Sequence, residues 1–209
     1  MILRNSSALF VALLALVGVL WLGPAVSHAT TVVPPEFPQL VNESDYIVRA
    51  VVKTVTSDMR LMPSGRSMPF TRVELEVIQV IAGRPPAPLV LEMIGGKAGG
   101  RELSISGVPK FKVGEESILF VQGNGKQIYP LVRMAHGLYP IVRETASGHE
   151  FVTRSDGAPL KNVGEVAQPI HGGEGRIAEA AQPVAQALTP DEFIAKIHAN
   201  ITEPRLLEK

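Results

Sequence analysis

The chain has 209 residues, with 20 Lys and Arg against 20 Asp and Glu, and no Cys. That length suits one domain of ordinary size with extensions. Balanced charge lacks the concentrated basic surface that DNA or RNA requires, so no nucleic-acid partner is expected. Without Cys there can be no disulfide scaffold, thiolate zinc site, Cys nucleophile or Cys-linked lipid.

Residues 1–29 read as a signal peptide. Arg4 precedes an unbroken apolar run, Ala8–Leu22, which Gly23-Pro24 ends, and Ser27-His28-Ala29 supplies small residues at the −3 and −1 positions of a cleavage site. The run is shorter than the ~20 residues that cross a bilayer, so the expectation is cleavage after Ala29 and no stable membrane span thereafter. The destination is secreted or periplasmic. The sole Trp, Trp21, leaves with the signal, so the core must be built mainly from Val, Ile and Leu, which suit a pleated surface.

Residues 30–155 predict strands. Gln39–Asp45 could form a short helical turn. In Tyr46–Val55, Val48, Ala50 and Val52 share one face while Arg49 and Lys53 point away, the period of a strand with one buried side. Thr56–Pro69 reads as a loop. Phe70–Ile81 alternates again until Ile78–Ile81 loses phase, which predicts a bulge or the strand's end. Leu89–Ile94 is a third strand, Gly95–Gly100 a flexible turn, and Arg101–Ser106 a further short strand. Gly123-Asn124-Gly125-Lys126 predicts a hairpin joining Ser117–Gln122 to Gln127–Val132, because Asn-Gly tolerates positive φ. Gly137–Arg143 and Glu150–Thr153 pair around Ser147-Gly148. With no long helix between strands, the fold class is mainly β, a small barrel or sandwich.

Gly, Ala, Pro and Gln fill 18 of the 33 positions in residues 156–188, which reads as a flexible linker. Residues 189–209 then carry a C-terminal amphipathic helix. Thr189-Pro190-Asp191-Glu192 is a capping box with Pro in the first turn, and Phe193, Ile194, Ile197 and Ile201 mark one face. That face either docks on the barrel or is presented to a partner.

Catalytic and metal signatures are not found. His149-Glu150 begins an HExxH pattern, but Thr153 stands where the second His belongs. His136, His149, His171 and His198 are widely spaced and read as surface or turn residues, so no metal site and no cofactor is expected. No Ser sits in G-x-S-x-G. Gly95–Gly100 lacks the G-K-[ST] of a phosphate loop and reads as a turn needing unusual backbone angles. Lys97 and Arg101 within and beside it are the candidate binding residues, placed to meet an anion or an acidic partner. The apolar Met59–Met62 stretch is a second candidate contact.

The run LVNESDYIVRAVV, a polar loop, TRVELEVIQVIAG, a Gly-rich loop and VPKFKVGEESILFV resembles a group of secreted bacterial proteins of uncharacterised function. It also resembles the netrin-type module of tissue inhibitors of metalloproteinases, which implies an OB-like five-stranded barrel over about Phe37–Arg143. Those inhibitors hold the protease zinc through an amino-terminal Cys, and Thr30 would stand at this mature terminus, so that mechanism does not transfer. The expected activity is that of a non-catalytic binding module for a protein or polysaccharide. An envelope or matrix structural protein, or a secreted hydrolase without a recognisable motif, are the alternatives.

Overall fold

The computed structural model describes residues 32–105, 107–145, 147–170 and 186–207. The signal segment 1–29 lies outside them, as do residues 171–185 of the expected linker.

Helix α1 (Phe37–Glu43) opens the fold where a helical turn was expected. Glu36 and Gln39 form a reciprocal cap, Pro38 sits in the first turn, and Phe37, Leu40 and Val41 are buried. The chain then makes a long antiparallel pair, β1 (Tyr46–Leu61) with β2 (Ser67–Gly83). The expected loop over Thr56–Pro69 therefore shrinks to residues 62–66. Thr and Ser are at home in a strand, and Pro69 fits because only its carbonyl is needed, accepting Gly95 N–H at 2.9 Å. The predicted loss of phase is real: the register skips Ile81, Ile78 and Lys53, three irregularities in one ladder.

β3 (Leu89–Ile94), β6 (Glu116–Val121), β7 (Leu138–Arg143) and β8 (Glu150–Val152) complete a six-stranded sheet in the order β3-β2-β1-β6-β7-β8. A separate hairpin joins β4 (Gly96–Ala98) to β5 (Arg101–Leu103). The protein is mainly β, as expected, but the sheet is not a closed barrel. The edge of β3 that closure would use is occupied: Asn124 Nδ2 donates to Val90 O at 2.8 Å, and Ile94 N–H donates to Ile128 O. The same contacts correct the predicted hairpin. Gly123–Lys126 does turn, but its Asn124 side chain clamps β3 and Tyr46. The returning chain makes only a bridge at Leu131, and β7 takes the place beside β6.

Both faces of the sheet bury apolar residues. One face, with Ile47, Ile118 and Phe120, is covered by α1 and by the C-terminal helix α2 (Pro190–Ala199), whose Phe193 and Ile197 are fully buried. The capping box at Thr189 and Glu192 forms as read from the sequence. Docking is thus where α2 spends its apolar face. A last turn, α3 (Pro204–Leu207), buries Leu206. The other face gathers Val48, Val52, Val73, Leu91 and Leu119.

The expected linker is corrected over residues 156–170. Leu160 and Val166 are buried against the helix-covered face, and Leu160 exchanges backbone bonds with Val152 and Leu188 (2.9 and 2.8 Å). Two anchors in a small-residue stretch suffice, because each removes a large aliphatic side chain from water, ~2 kcal/mol apiece.

Candidate functional site

The Gly95-Gly96 pair lets the chain leave β3 and fold the β4–β5 hairpin back over the sheet. Both glycines have positive φ, +113° and +109°. At Gly96 a Cβ would run into Thr71 Oγ1 and Ser57 Oγ, so the hairpin backbone rests directly on two hydroxyls. Those hydroxyls lie 3.1 Å apart, and Thr71 Oγ1 donates to Gly95 O at 2.8 Å. The turn is therefore a fixed seat.

Between this hairpin and the stretch 104–111 is a pocket of about 310 Å³. Val55, Met93, Val108 and Phe111 give it apolar walls, while Lys97 and Glu102 are exposed side chains that line it. It stands at the lower end of the range for small-ligand sites, and its mix of apolar wall and a few charges is typical of them.

The two sequence-predicted site residues meet on the hairpin but do different things. Lys97 lines the pocket directly opposite Glu102 across the hairpin. Arg101 opposes Ala98, is exposed, and reaches Ser67 O at 3.5 Å. Sequence reasoning missed Ser57, Thr71 and Phe111, whose only signal was the two adjacent glycines. Of the Met59–Met62 candidate, Met59–Leu61 form the outer end of β1 and Met62 begins the connection to β2. Met59 packs beside Gly99, and Arg60 stacks 4.7 Å over the Phe70 ring while bonding Glu92 at 3.1 Å. That hydrogen bond holds the Glu92 carboxyl below the usual carboxylate range.

A second polar group lies on the helix-covered side. His136, expected as a surface or turn residue, does lie in a 3-10 turn (Met134–Gly137) but is only 5% exposed, and Arg154 only 6%. Burial, reinforced by the Arg154 charge, pushes the imidazole down to about 4, against smaller opposing effects of Asp156 and a backbone bond with Val166. Arg154 donates to Gln168 Oε1 and to the carbonyls of Gln168 and Pro169 (3.2, 2.8 and 2.8 Å), with Asp156 at 3.6 Å. The guanidinium thereby ties β8 to the end of the 156–169 stretch. Burial also raises the neighbouring Tyr139 hydroxyl well above its ordinary value. This cluster is satisfied internally and works as a pin. His149 stacks on Phe151, His198 Nε2 meets Ile81 O at 3.1 Å, and His171 lies outside the described residues. Among the described residues no group of three or more His, Asp or Glu could hold a metal ion. No protein-family model and no curated protein matches the chain.

Proposed function

We propose that the chain is a secreted or periplasmic, non-catalytic binding module that holds a protein or polysaccharide at the hairpin pocket. The observation that carries this reading is the seating of that pocket. Its shape is held by Gly95, Gly96 and the Ser57–Thr71 hydroxyl pair before any ligand arrives, which lowers the ordering cost of binding. The two hydroxyls are engaged with each other and with a carbonyl, an arrangement that supports a structural role over nucleophilic attack. The resemblance to secreted bacterial proteins and to the netrin-type module agrees with a module of this kind.

The test is capture by the immobilised chain from periplasmic and secreted fractions, with protein and carbohydrate identification of what is held. Phe111→Ser, a change in the pocket wall, is expected to abolish capture while leaving the Tm within a few degrees. Undiminished capture by that folded variant, or chemical turnover of the captured material, would overturn the reading. Amino-terminal sequencing of the same preparation is expected to begin at Thr30; retention of Trp21 would remove the secretory assignment.

A further inference from the structure

The outer half of β1 has an open side. Beside Tyr46–Val51 it is flanked by β6, and Val52 exchanges bonds with Glu115 and Gly114 (3.0 and 2.9 Å). Beyond that point, among the described residues, β1 pairs with β2 alone out to Leu61. The phase of the ladder follows from the hairpin end. Met62 N–H donates to Arg66 O, and Arg60, Asp58, Thr56 and Thr54 stand opposite Met68, Phe70, Arg72 and Glu74. In an antiparallel ladder alternate residues exchange bonds with the partner strand. Those four residues therefore bond β2, and Val55, Ser57, Met59 and Leu61 turn their N–H and C=O groups toward the lane that β6 vacates.

This lane is about 26 Å long at the usual strand rise, enough for an extended segment of eight residues. It carries few of the devices that blunt an edge: a bulge at Lys53 at one end, the acidic Asp58 along its middle, and Arg60, whose head group is directed to Glu92. It also runs alongside the pocket, because Val55 and Ser57 line that pocket from the same strand. A strand laid in the lane sits about 4.8 Å from β1, so its alternate side chains stand next to Val55 and Ser57 on the pocket's side of the sheet. Charge selects the occupant. Around lane and pocket the exposed cations Lys53, Lys97, Arg101, Lys110 and Lys112 outnumber the exposed carboxylates Asp58, Glu102 and Glu115.

We propose that this open edge of β1 takes an extended, acidic polypeptide segment of a partner protein, added to the sheet as a strand with an apolar side chain directed at the pocket. Main-chain bonds give such a mode its hold and the alternate side chains its selectivity. The inference rests on the binding-module reading and specifies its partner.

The test uses the full chain and a peptide long enough to span the lane, alternating Glu and Val, with a Lys–Val peptide as counterpart. Amide hydrogen exchange is expected to slow at Val55, Ser57, Met59 and Leu61 when the Glu peptide is added, and to change little at Thr54, Thr56, Asp58 and Arg60, which the β2 ladder already protects. Met59→Pro removes one outward N–H, spares that ladder and leaves the pocket lining untouched, so it is expected to weaken the Glu peptide about tenfold. Equal binding of the Lys peptide, or no slowing at the four outward amides at millimolar Glu peptide, overturns the inference. Slowing that instead grows with protein concentration, together with a doubled mass, assigns the lane to a second copy and also overturns it. Polysaccharide capture that Phe111→Ser abolishes and Met59→Pro leaves intact would sink the strand-addition proposal while keeping the binding-module reading.

Discussion

The two faces of the sheet are buried by different means, and the difference separates what holds the fold from what is available for binding. On one face Phe37, Phe120, Tyr139 and Phe193 form a continuous aromatic group, with ring centroids 5.0–6.0 Å apart, sealed by α1 and α2. On the other face the core is aliphatic, and toward the outer ends of β1 and β2 it is covered, among the described residues, by a hairpin of two three-residue strands and an irregular stretch. Aromatic packing under helices is dense and expensive to disturb. A short hairpin over aliphatic residues leaves a pocket because it cannot fill the space.

The contrast is broken most severely at Phe193. Its ring touches the other three aromatics and is fully buried, so Phe193→Ala is expected to cost about 3–5 kcal/mol in urea unfolding. Phe111→Ala at the pocket wall, where the residue is half-buried, is expected to cost well under half as much. Equal losses would show that the two faces are one cooperative core of uniform density.

The helix-covered side also carries the pH sensitivity. His136 has a folded value of about 4 against ~6.5 when unfolded, so the unfolded chain binds the proton first as pH falls. The stability tied to its neutral form is fully present above ~6.5 and drains away down to about 4, to a ceiling of ~3 kcal/mol. Urea midpoints measured from pH 7 to 4 should show this decline, and His136→Phe should flatten it. An unchanged slope in that variant would place the sensitivity among the carboxylates.

The sequence was most legible where a local pattern coincided with the tertiary role. Alternation in Tyr46–Val55 and Phe70–Ile81, the lost phase at Ile78, and the Thr189 capping box all describe structure set within a few residues. It was least legible where a residue's partner is distant. Asn124 reads as hairpin chemistry, yet its amide bonds Tyr46 and Val90, 78 and 34 residues away. Leu160 and Val166 vanish into an average over Gly, Ala, Pro and Gln, although burial acts on single side chains. Of the site, the glycine pair and the hairpin cations were visible. The Ser57–Thr71 floor was hidden because 14 residues and a chain reversal separate its two halves.

A sharper probe of the hairpin compares two glycines with positive φ. Gly96 has Ser57 and Thr71 against the position a Cβ would take, whereas Gly100, at φ +72°, has nothing within 4 Å. Both Ala substitutions bear the backbone strain, about 1 kcal/mol each, and only Gly96→Ala adds the clash. Expected losses are therefore ~2–3 kcal/mol and ~1 kcal/mol. Hydrogen exchange should locate the first in β4, β5 and the pocket floor while the amides of α2 keep their protection. If α2 loosened as well, the hairpin would belong to the cooperative core.

The smallest stability effect is expected where the binding effect should be largest. Lys97 and Arg101 are exposed, and Arg101 has only a long contact to Ser67 O. Replacing both with Ala should change stability by less than ~0.5 kcal/mol, as exposed substitutions away from caps and networks do. Binding should respond differently, because the double change removes two of the cations beside the pocket and leaves Glu102 without its cross-strand neighbour Lys97. The rim then loses its excess of positive charge, with Lys110 left against Glu102. Capture of an acidic ligand should weaken, and its remaining affinity should depend less on salt, since fewer charges are left to be screened. Titrations at low and at physiological ionic strength measure both quantities at once. A folded double variant that binds with the parent's affinity and salt slope would show that the hairpin only roofs the pocket, and would move the recognition chemistry to the walls formed by Val108 and Phe111.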